Sequence, residues 1–232
     1  MMLQLIDNKK NLFFYFFIFL FLSTIKLNSS YLGNLFSLRI SDISVAGLSE
    51  EKNRIIKEKL NIFQNRNILF LEEDEFKIIL GQFNIIDSFE IKKIYPNKIN
   101  LEIKKTNFIG STYYKNSKYI IGQNKKLIPF DNLKHNELEL PFVFTSGNYE
   151  RFVHLKKIID ETNFDFHKIE SFYYFQIGRW DLKTKSGQII KLPVKNIKEA
   201  INRAHIMIND KKIDKFNLLD MRMQKYIITS NE

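Results

Sequence analysis

FEIKKIYPNKINLEIKK, residues 89–105, decides the fold of the first half of the chain. In its second part Ile99, Leu101 and Ile103 alternate with polar residues, which is the pattern of a half-buried strand. Pro96-Asn97 separates this run from an earlier strand-like run, because proline presets a turn and asparagine tolerates unusual backbone angles. The stretch therefore predicts a β-hairpin.

A strand and a helix are predicted upstream of this hairpin. LRISDISVAG, residues 38–47, alternates apolar and polar side chains apart from one slip and ends in glycine, as a first strand would. Ser49 follows as the expected cap of a helix. Ile56, Leu60 and Phe63 recur at helical spacing and predict one apolar face on that helix.

A second helix is predicted after the acidic run at residues 72–75, whose charge suits the positive first turn of a helix. Its apolar face is formed by Phe76, Ile79, Leu80 and Phe83. Residues 37–106 thus predict the order β-α-α-β-β, with two helices on one face of a three-stranded sheet.

The remainder, residues 107–232, predicts a mainly antiparallel β domain with flanking helices, so that the whole chain is of the α+β class. Turns at 115–117 and 123–124 separate short strand-like runs, and an amphipathic helix is predicted at 196–209. A strand over 216–222 follows. Lys225–Thr229 has high β-propensity and is expected to be an edge strand because it comes last; the alternative is that Tyr226 and Ile228 only close the sheet over the final helix.

An apolar run near the start predicts a membrane anchor. LFFYFFIFLFLSTI, residues 12–25, carries no charge and is flanked by Lys9, Lys10 and Lys26. We interpret residues 12–27 as a short transmembrane helix, 1–11 as a cytoplasmic tail and 28–36 as a linker, with the bulk of the chain exported under the positive-inside rule. A cleaved signal peptide is the alternative, although no A-x-A-like site follows and Lys26 lies where cleavage would be expected.

Composition excludes several kinds of chemistry. Cysteine is absent, and the eight glycines are isolated, so thiolate nucleophiles, dinucleotide-binding loops and P-loops are not encoded. The four histidines are too widely spaced for a local metal pair. We predict no enzyme, cofactor, metal or small-molecule substrate. The net charge of +10 would suit an anionic partner, but the basic residues are scattered and Lys, Asn, Ile and Phe are all frequent, as in AT-rich genomes.

The order of short motifs resembles the FtsQ/DivIB family of cell division proteins, with its POTRA domain followed by an FtsQ-type β domain. In the first half the similar motifs are I43-S-V45-A-G47, N67-I-L-F-L71 and the hairpin 91–103, where Lys93 holds the place of the family's basic residue. In the second half they are L140-P141 through Gly147, the hairpin beginning R179-W-D-L182, and L219-D-M-R222.

This resemblance implies a division scaffold in the inner membrane, single-pass and of type II, with its bulk in the periplasm and located at the septum. Its partners would be the coiled-coil pair FtsB and FtsL, and through them the septal peptidoglycan synthase FtsW and FtsI. FtsB would add a strand to the C-terminal edge. The implied partner-binding residues are Arg179, Leu219, Asp220, Met221, Arg222, Met223, Gln224, Lys225, Tyr226, Ile227, Ile228 and Thr229.

Two alternatives come from other classes. A POTRA-containing periplasmic assembly factor or chaperone would use the same sheet edge for exported chains. A basic nucleic-acid-binding protein is disfavoured, because the chain lacks a clustered basic stripe with interleaved aromatics and the anchor would separate it from nucleic acid.

Overall fold

The computed structural model describes residues 9–24, 38–130, 139–145, 147, 149–210, 216–223 and 227–230. Helix α1, Lys9–Thr24, comes first, and its apolar side chains from Phe13 to Leu22 are exposed. In the part of the chain that the structure describes, no helix combines the length and the apolar character needed to cross a bilayer. The predicted span 12–27 overlaps α1, and its residues 25–27 lie outside the described residues.

A three-stranded sheet with two helices follows. Its elements are β1 (Asp42–Ala46), α2 (Glu50–Leu60), α3 (Glu73–Leu80), β2 (Ile86–Ile94) and β3 (Lys98–Lys105). The strand order is β1-β3-β2, with β1 parallel and β2 antiparallel to the central β3. The predicted order β-α-α-β-β and the hairpin are therefore confirmed.

The predicted helix faces form the core of this unit. Ile56, Leu60 and Phe63 are buried, and so are Phe76 and Leu80 of the second helix. The rings of Phe63 and Phe76 lie 4.6 Å apart, so the two helical segments meet over the sheet. Burial of such side chains contributes about 1.5–3 kcal/mol each relative to exposure.

Two local predictions were wrong. Ser49 is at the N-cap position of α2, but its side chain makes no capping hydrogen bond; the Asn53 side chain instead accepts from the Leu48 backbone N–H. The first strand begins at residue 42 rather than 38, because Arg39 forms an isolated antiparallel bridge with Asn67 and this segment follows the loop instead of the sheet.

The second unit is built on a nine-stranded sheet within the described residues. Its strands and helices are, in chain order, β4 (Phe108–Tyr114), β5 (Ser117–Gly122), β6 (Leu127–Pro129), β7 (Phe142–Phe144), α4 (Tyr149–Asp160), β8 (Ile169–Phe175), β9 (Arg179–Thr184), β10 (Ile189–Lys191), α5 (Ile197–Asn209), β11 (Leu218–Asp220) and β12 (Ile228–Ser230). The strand order is β12-β11-β10-β9-β8-β7-β4-β5-β6.

Five of the eight strand pairings in this sheet are antiparallel, so the prediction of a mainly antiparallel β domain is confirmed. The buried face of the sheet packs against α4 and α5 through one apolar cluster that includes Phe152, Phe172, Trp180 and Ile201. The α+β class is confirmed as well.

Hydrogen bonds join the two units where they meet. The side-chain amide of Asn124 donates to the carbonyl oxygens of Asn84 and Ile86 at 2.9 Å each, and that of Asn84 donates to the Leu127 carbonyl at 2.7 Å. The predicted boundary after Thr106 stays a prediction; it falls in the short connection between β3 and β4.

Candidate functional site

The predicted partner-binding segment ends at the edge of the nine-stranded sheet. Among the strands that the structure describes, β12 is outermost and pairs antiparallel with β11, with Asp220 opposite Ile228 and Leu219 opposite Thr229. The strand spans Ile228–Ser230, three residues later at its start than the predicted Lys225–Thr229. Residues 224–226, which include the predicted contacts Gln224, Lys225 and Tyr226, lie outside the described residues.

The site residues divide between the core and the surface. Leu219 and Met221 are fully buried in the cluster beneath α4 and α5, so they anchor β11 and the residue after it to the core. Met223 and Ile228 are 57% and 51% exposed. Thr229 is exposed as well, and Ile227 packs partly against the core.

Arg222 is held in place by Asp220. Its Nε donates to both carboxylate oxygens at 2.8 and 2.9 Å, Nη2 also donates to Oδ2, and the Arg222 backbone N–H donates to Oδ1 at 3.1 Å. The Arg222 hydrogen bonds lower the pKa of Asp220 below its usual range. Among the described residues no hydrogen bond occupies Nη1 of Arg222, whose side chain is 45% exposed.

Arg179 is the second arginine of the site and lies on β9. Its Nε is 3.0 Å from Oδ1 of Asp181, but the alignment is not that of a hydrogen bond; the hydrogen bond runs from Nη2 to Oδ2 at 3.4 Å. Its guanidinium also lies 4.2 Å from the centre of the Phe175 ring. Burial raises the pKa of Asp181 although Arg179 opposes the shift.

Lys191 lies between the ion pairs Arg222–Asp220 and Arg179–Asp181, and the sequence did not predict it as a site residue. Strand register places it between Asp181 of β9 and Asp220 of β11. Its charge opposes the rise that burial causes in the pKa of Asp181, and it adds to the lowering of the Asp220 pKa by the Arg222 hydrogen bonds. Alternation in residues 189–191 indicates only that Lys191 faces away from buried Ile190. Its two acidic neighbours become visible only once the register is known. Three cations thus face two carboxylates on the sheet face next to the edge.

The chemistry of this arrangement is suited to binding a peptide. In the described residues no group of three or more histidine or acidic side chains is placed to hold a metal ion. A strand edge with unpaired backbone groups and an adjacent arginine is suited to an extended peptide that carries an acidic side chain. The fold and the site together define a POTRA-containing protein with a β domain open at its C-terminal edge.

Comparison with known proteins agrees with that class. Residues 38–105 match the family model described as "POTRA domain, FtsQ-type". The chain is similar to Cell division protein FtsQ of Rhizobium meliloti (strain 1021), with 21% identity over 164 residues that cover 70% of this chain and 52% of that protein. It is also similar to Cell division protein FtsQ of Rickettsia bellii (strain RML369-C), with 24% identity over 202 residues, 82% of this chain and 72% of that protein.

These comparisons show similarity to the FtsQ/DivIB cell division proteins and an FtsQ-type POTRA domain at residues 38–105. The chain spans about half the length of the Rhizobium meliloti relative. The structure also overlaps the major extracytoplasmic domain of the cell division protein DivIB from Geobacillus stearothermophilus, at a TM-score of 0.33 and 10% identity, over 47% of this chain and 99% of that one. An overlap this weak has no bearing on function.

Proposed function

We propose that this chain is a bitopic inner-membrane scaffold of cell division that binds the FtsB/FtsL complex at its C-terminal sheet edge. Through FtsB and FtsL it would help to recruit and regulate the septal peptidoglycan synthase FtsW and FtsI. The observation that carries this is the position of β12, which is outermost in a sheet of a protein related to FtsQ.

The expected mechanism is strand addition. A β-strand of FtsB would pair with β12 on the side away from β11, with backbone hydrogen bonds to Ile228 and Thr229. Leu219 and Met221 keep the edge in place from the core, because the side chains of both are fully buried. Exposed Met223 and Ile228 are then available to contact the added strand.

Charge supports the same mode of binding. Asp220 fixes the orientation of Arg222, and Nη1 of that arginine, to which no described residue is hydrogen-bonded, would bind a carboxylate of the partner. Arg179 is more enclosed, with 16% side-chain exposure, so we assign it a supporting contact. Arg179, Lys191 and Arg222 carry three positive charges against the two negative charges of Asp181 and Asp220. A carboxylate of the partner would therefore meet a surplus of one positive charge.

Membrane attachment is part of the proposal. Apolar residues 12–22 lie on α1, and a segment extended to residue 27 would approach the length of a thinned bilayer. A reporter fused to the C-terminus should be active only in the periplasm, because the positive-inside rule retains the lysine-bearing N-terminus in the cytoplasm. A cytosolic signal would contradict this orientation.

The strand-addition mechanism is tested by Ile227→Pro, with Ile227→Ala as the matched control. Proline removes one backbone N–H and restricts φ at the residue immediately before β12, whereas alanine only truncates the side chain. Co-purification with FtsB from membranes should be lost for proline and retained for alanine, with both variants folded. Retained binding by the proline variant would remove the edge-strand mechanism.

A specific observation also favours the assembly factor. The nine-residue strand β2 is an outer strand of the first sheet and offers a second edge for an exported chain. Fluorescent fusions separate the two functions, since a division scaffold concentrates at midcell and an assembly factor is distributed around the envelope.

A further inference from the structure

The chain enters the first unit at one end of its three-stranded sheet. The carbonyl of Leu38 accepts from the Ile68 N–H at 2.8 Å, and the Ser41 N–H donates to the Asn97 carbonyl at 2.9 Å. The entering segment therefore lies between the loop that precedes α3 on one side and the β2–β3 turn on the other.

The second unit leaves from the opposite end of the same sheet. Strand β3 begins at Lys98, beside the β2–β3 turn, and runs to Lys105, after which the chain continues into β4. A strand of this length extends about 26 Å. The end at which the chain enters therefore points away from the second unit.

Exposed apolar side chains of the first unit concentrate at the entering end. Seven large apolar side chains of this unit are exposed, and five of them lie on the loops and the turn that surround the entering segment. We call these five the entry face: Ile62, Leu69, Phe70, Ile94 and Tyr95. Exposed apolar surface that is gathered in one place marks an interaction site.

Local hydrogen bonding holds two members of the entry face outward. The Asn67 side chain accepts from the Leu69 backbone N–H at 2.9 Å and so caps a short turn of 3₁₀ helix. Ile68 of this turn is fully buried, whereas Leu69 and Phe70 are 50% and 77% exposed. A fixed backbone therefore presents both side chains to the surroundings.

Ion pairs balance much of the charge at this end. The acidic first turn of α3 lies here, but Arg66 donates to Glu75 at 3.0 Å and Lys77 donates to Asp74 at 2.8 Å. Arg39 is exposed nearby. Because cations and carboxylates are mixed, the apolar side chains are the stronger determinant of what binds the entry face.

The connection to α1 limits what can lie against this face. Residues 25–37 join Thr24 of α1 to Leu38, and a chain of that length spans at most about 45 Å when fully extended. If α1 is held in a bilayer, the entering end therefore stays close to the lipid surface. That surface accepts Phe, Leu and Ile side chains, and Tyr is favoured at the level of the headgroups.

We propose that the entry face rests on the extracytoplasmic surface of the membrane that holds α1, with Leu69, Phe70 and Tyr95 inserted among the lipid headgroups. This inference rests on the membrane attachment in the proposed function and adds a second contact with lipid. The contact orients the first unit, so that β3 runs away from the bilayer and raises the second unit by roughly 26 Å.

Quenching by nitroxide-labelled lipids tests this contact. The chain has no cysteine, so a single introduced cysteine carries the only nitrobenzoxadiazole fluorophore. The full-length chain with Phe70→Cys is reconstituted in phosphatidylcholine vesicles, with Ile206→Cys on α5, 66% exposed, as the control. Quenching at position 70 should exceed that at position 206 by about threefold or more.

Flotation of the same vesicles separates failure of this inference from failure of the proposed function. Equal quenching at the two positions, in protein that floats with the vesicles, overturns the lipid contact of the entry face and leaves the membrane attachment in place. Protein that does not float removes the attachment, and the entry-face contact falls with it.

A second comparison tests the apolar nature of the contact. With the fluorophore at Tyr95→Cys, the added pair Leu69→Ser and Phe70→Ser should lower quenching by about threefold or more. Ile78→Ser, which removes a 74% exposed side chain outside the entry face, should not. Unchanged quenching in the double variant overturns insertion of these side chains. A signal that requires phosphatidylglycerol in the vesicles overturns the apolar contact in favour of one based on charge.

Discussion

Arg222→Ala should destabilise the fold in a pH-dependent manner, because the substitution leaves a buried carboxylate without its cation. Asp220 is 7% exposed and accepts Nε of Arg222 at 2.8 and 2.9 Å. Losing a charged partner of a buried acceptor costs about 1–3 kcal/mol. Arg222 is 45% exposed, so water replaces part of the interaction and we expect about 1–2 kcal/mol at pH 7.

The pH dependence follows from the lowered pKa of Asp220. A carboxyl group whose folded pKa lies below its unfolded value of about 3.9 contributes stability above that value, and the contribution is lost as pH falls through the folded pKa. The difference between wild type and Arg222→Ala should therefore shrink below about pH 4. Asp181 acts in the same direction, since the charge of Arg222 opposes the rise in its pKa.

Urea unfolding of the full-length chain in detergent, followed by fluorescence, gives the measurement. Trp180 is the sole tryptophan and is buried beside Phe152 and Phe172, so it reports on this sheet. Lys198→Ala is the control, because its ion pair with Glu161 is exposed and should contribute nothing measurable. An equal difference at pH 7 and pH 3, or none at pH 7, would refute the role of the pair.

Two further substitutions test the fold. Gly47→Ala should unfold the first unit, measured as a loss of far-ultraviolet circular dichroism, since φ is +108° and an added Cβ would lie 1.8 Å from the Ile103 carbonyl oxygen. Gly187→Ala is the matched variant: at φ +89° with open space around the added Cβ, it should cost only about 1–2 kcal/mol in the tryptophan-monitored urea titration. Asn124→Ala removes the hydrogen bonds to the backbone of Asn84 and Ile86. The distribution of distances between spin labels on the two units, measured by double electron–electron resonance, should therefore broaden. An unchanged distribution would show that other contacts hold the units together.

Local pattern was sufficient for most elements of the first unit. Apolar residues at helical spacing predicted the buried faces of α2 and α3, and alternation predicted β3, because both patterns arise from the geometry of a single element. The side-chain cap at Ser49 failed for a different reason. The side chain of Asn53 instead bonds both backbone groups of Leu48, the residue before the cap, and such a contact is not part of the capping pattern.

For the candidate site, the sequence pattern predicted only part of the arrangement. β-Propensity and the late position in the chain predicted a terminal strand near residue 228, and the family motif pointed to Arg179 and Arg222. Register was needed to bring Lys191 between Asp181 and Asp220, since these residues belong to three strands. The neighbouring rings of Tyr113, Phe142, Phe144 and Tyr173 have the same origin, because these residues lie on three strands and meet only through strand order.

The amino-acid sequence by itself determined the α+β class, the order of the first unit's elements and the absence of cysteine chemistry, because each depends on composition or on contacts within a few residues. Only the tertiary structure decided which strand lies at the open edge, which carboxylates are buried beside which cations, and which face keeps exposed aromatic rings. Those properties depend on pairings between distant segments, whose register is selected by the packing of the whole sheet against its helices.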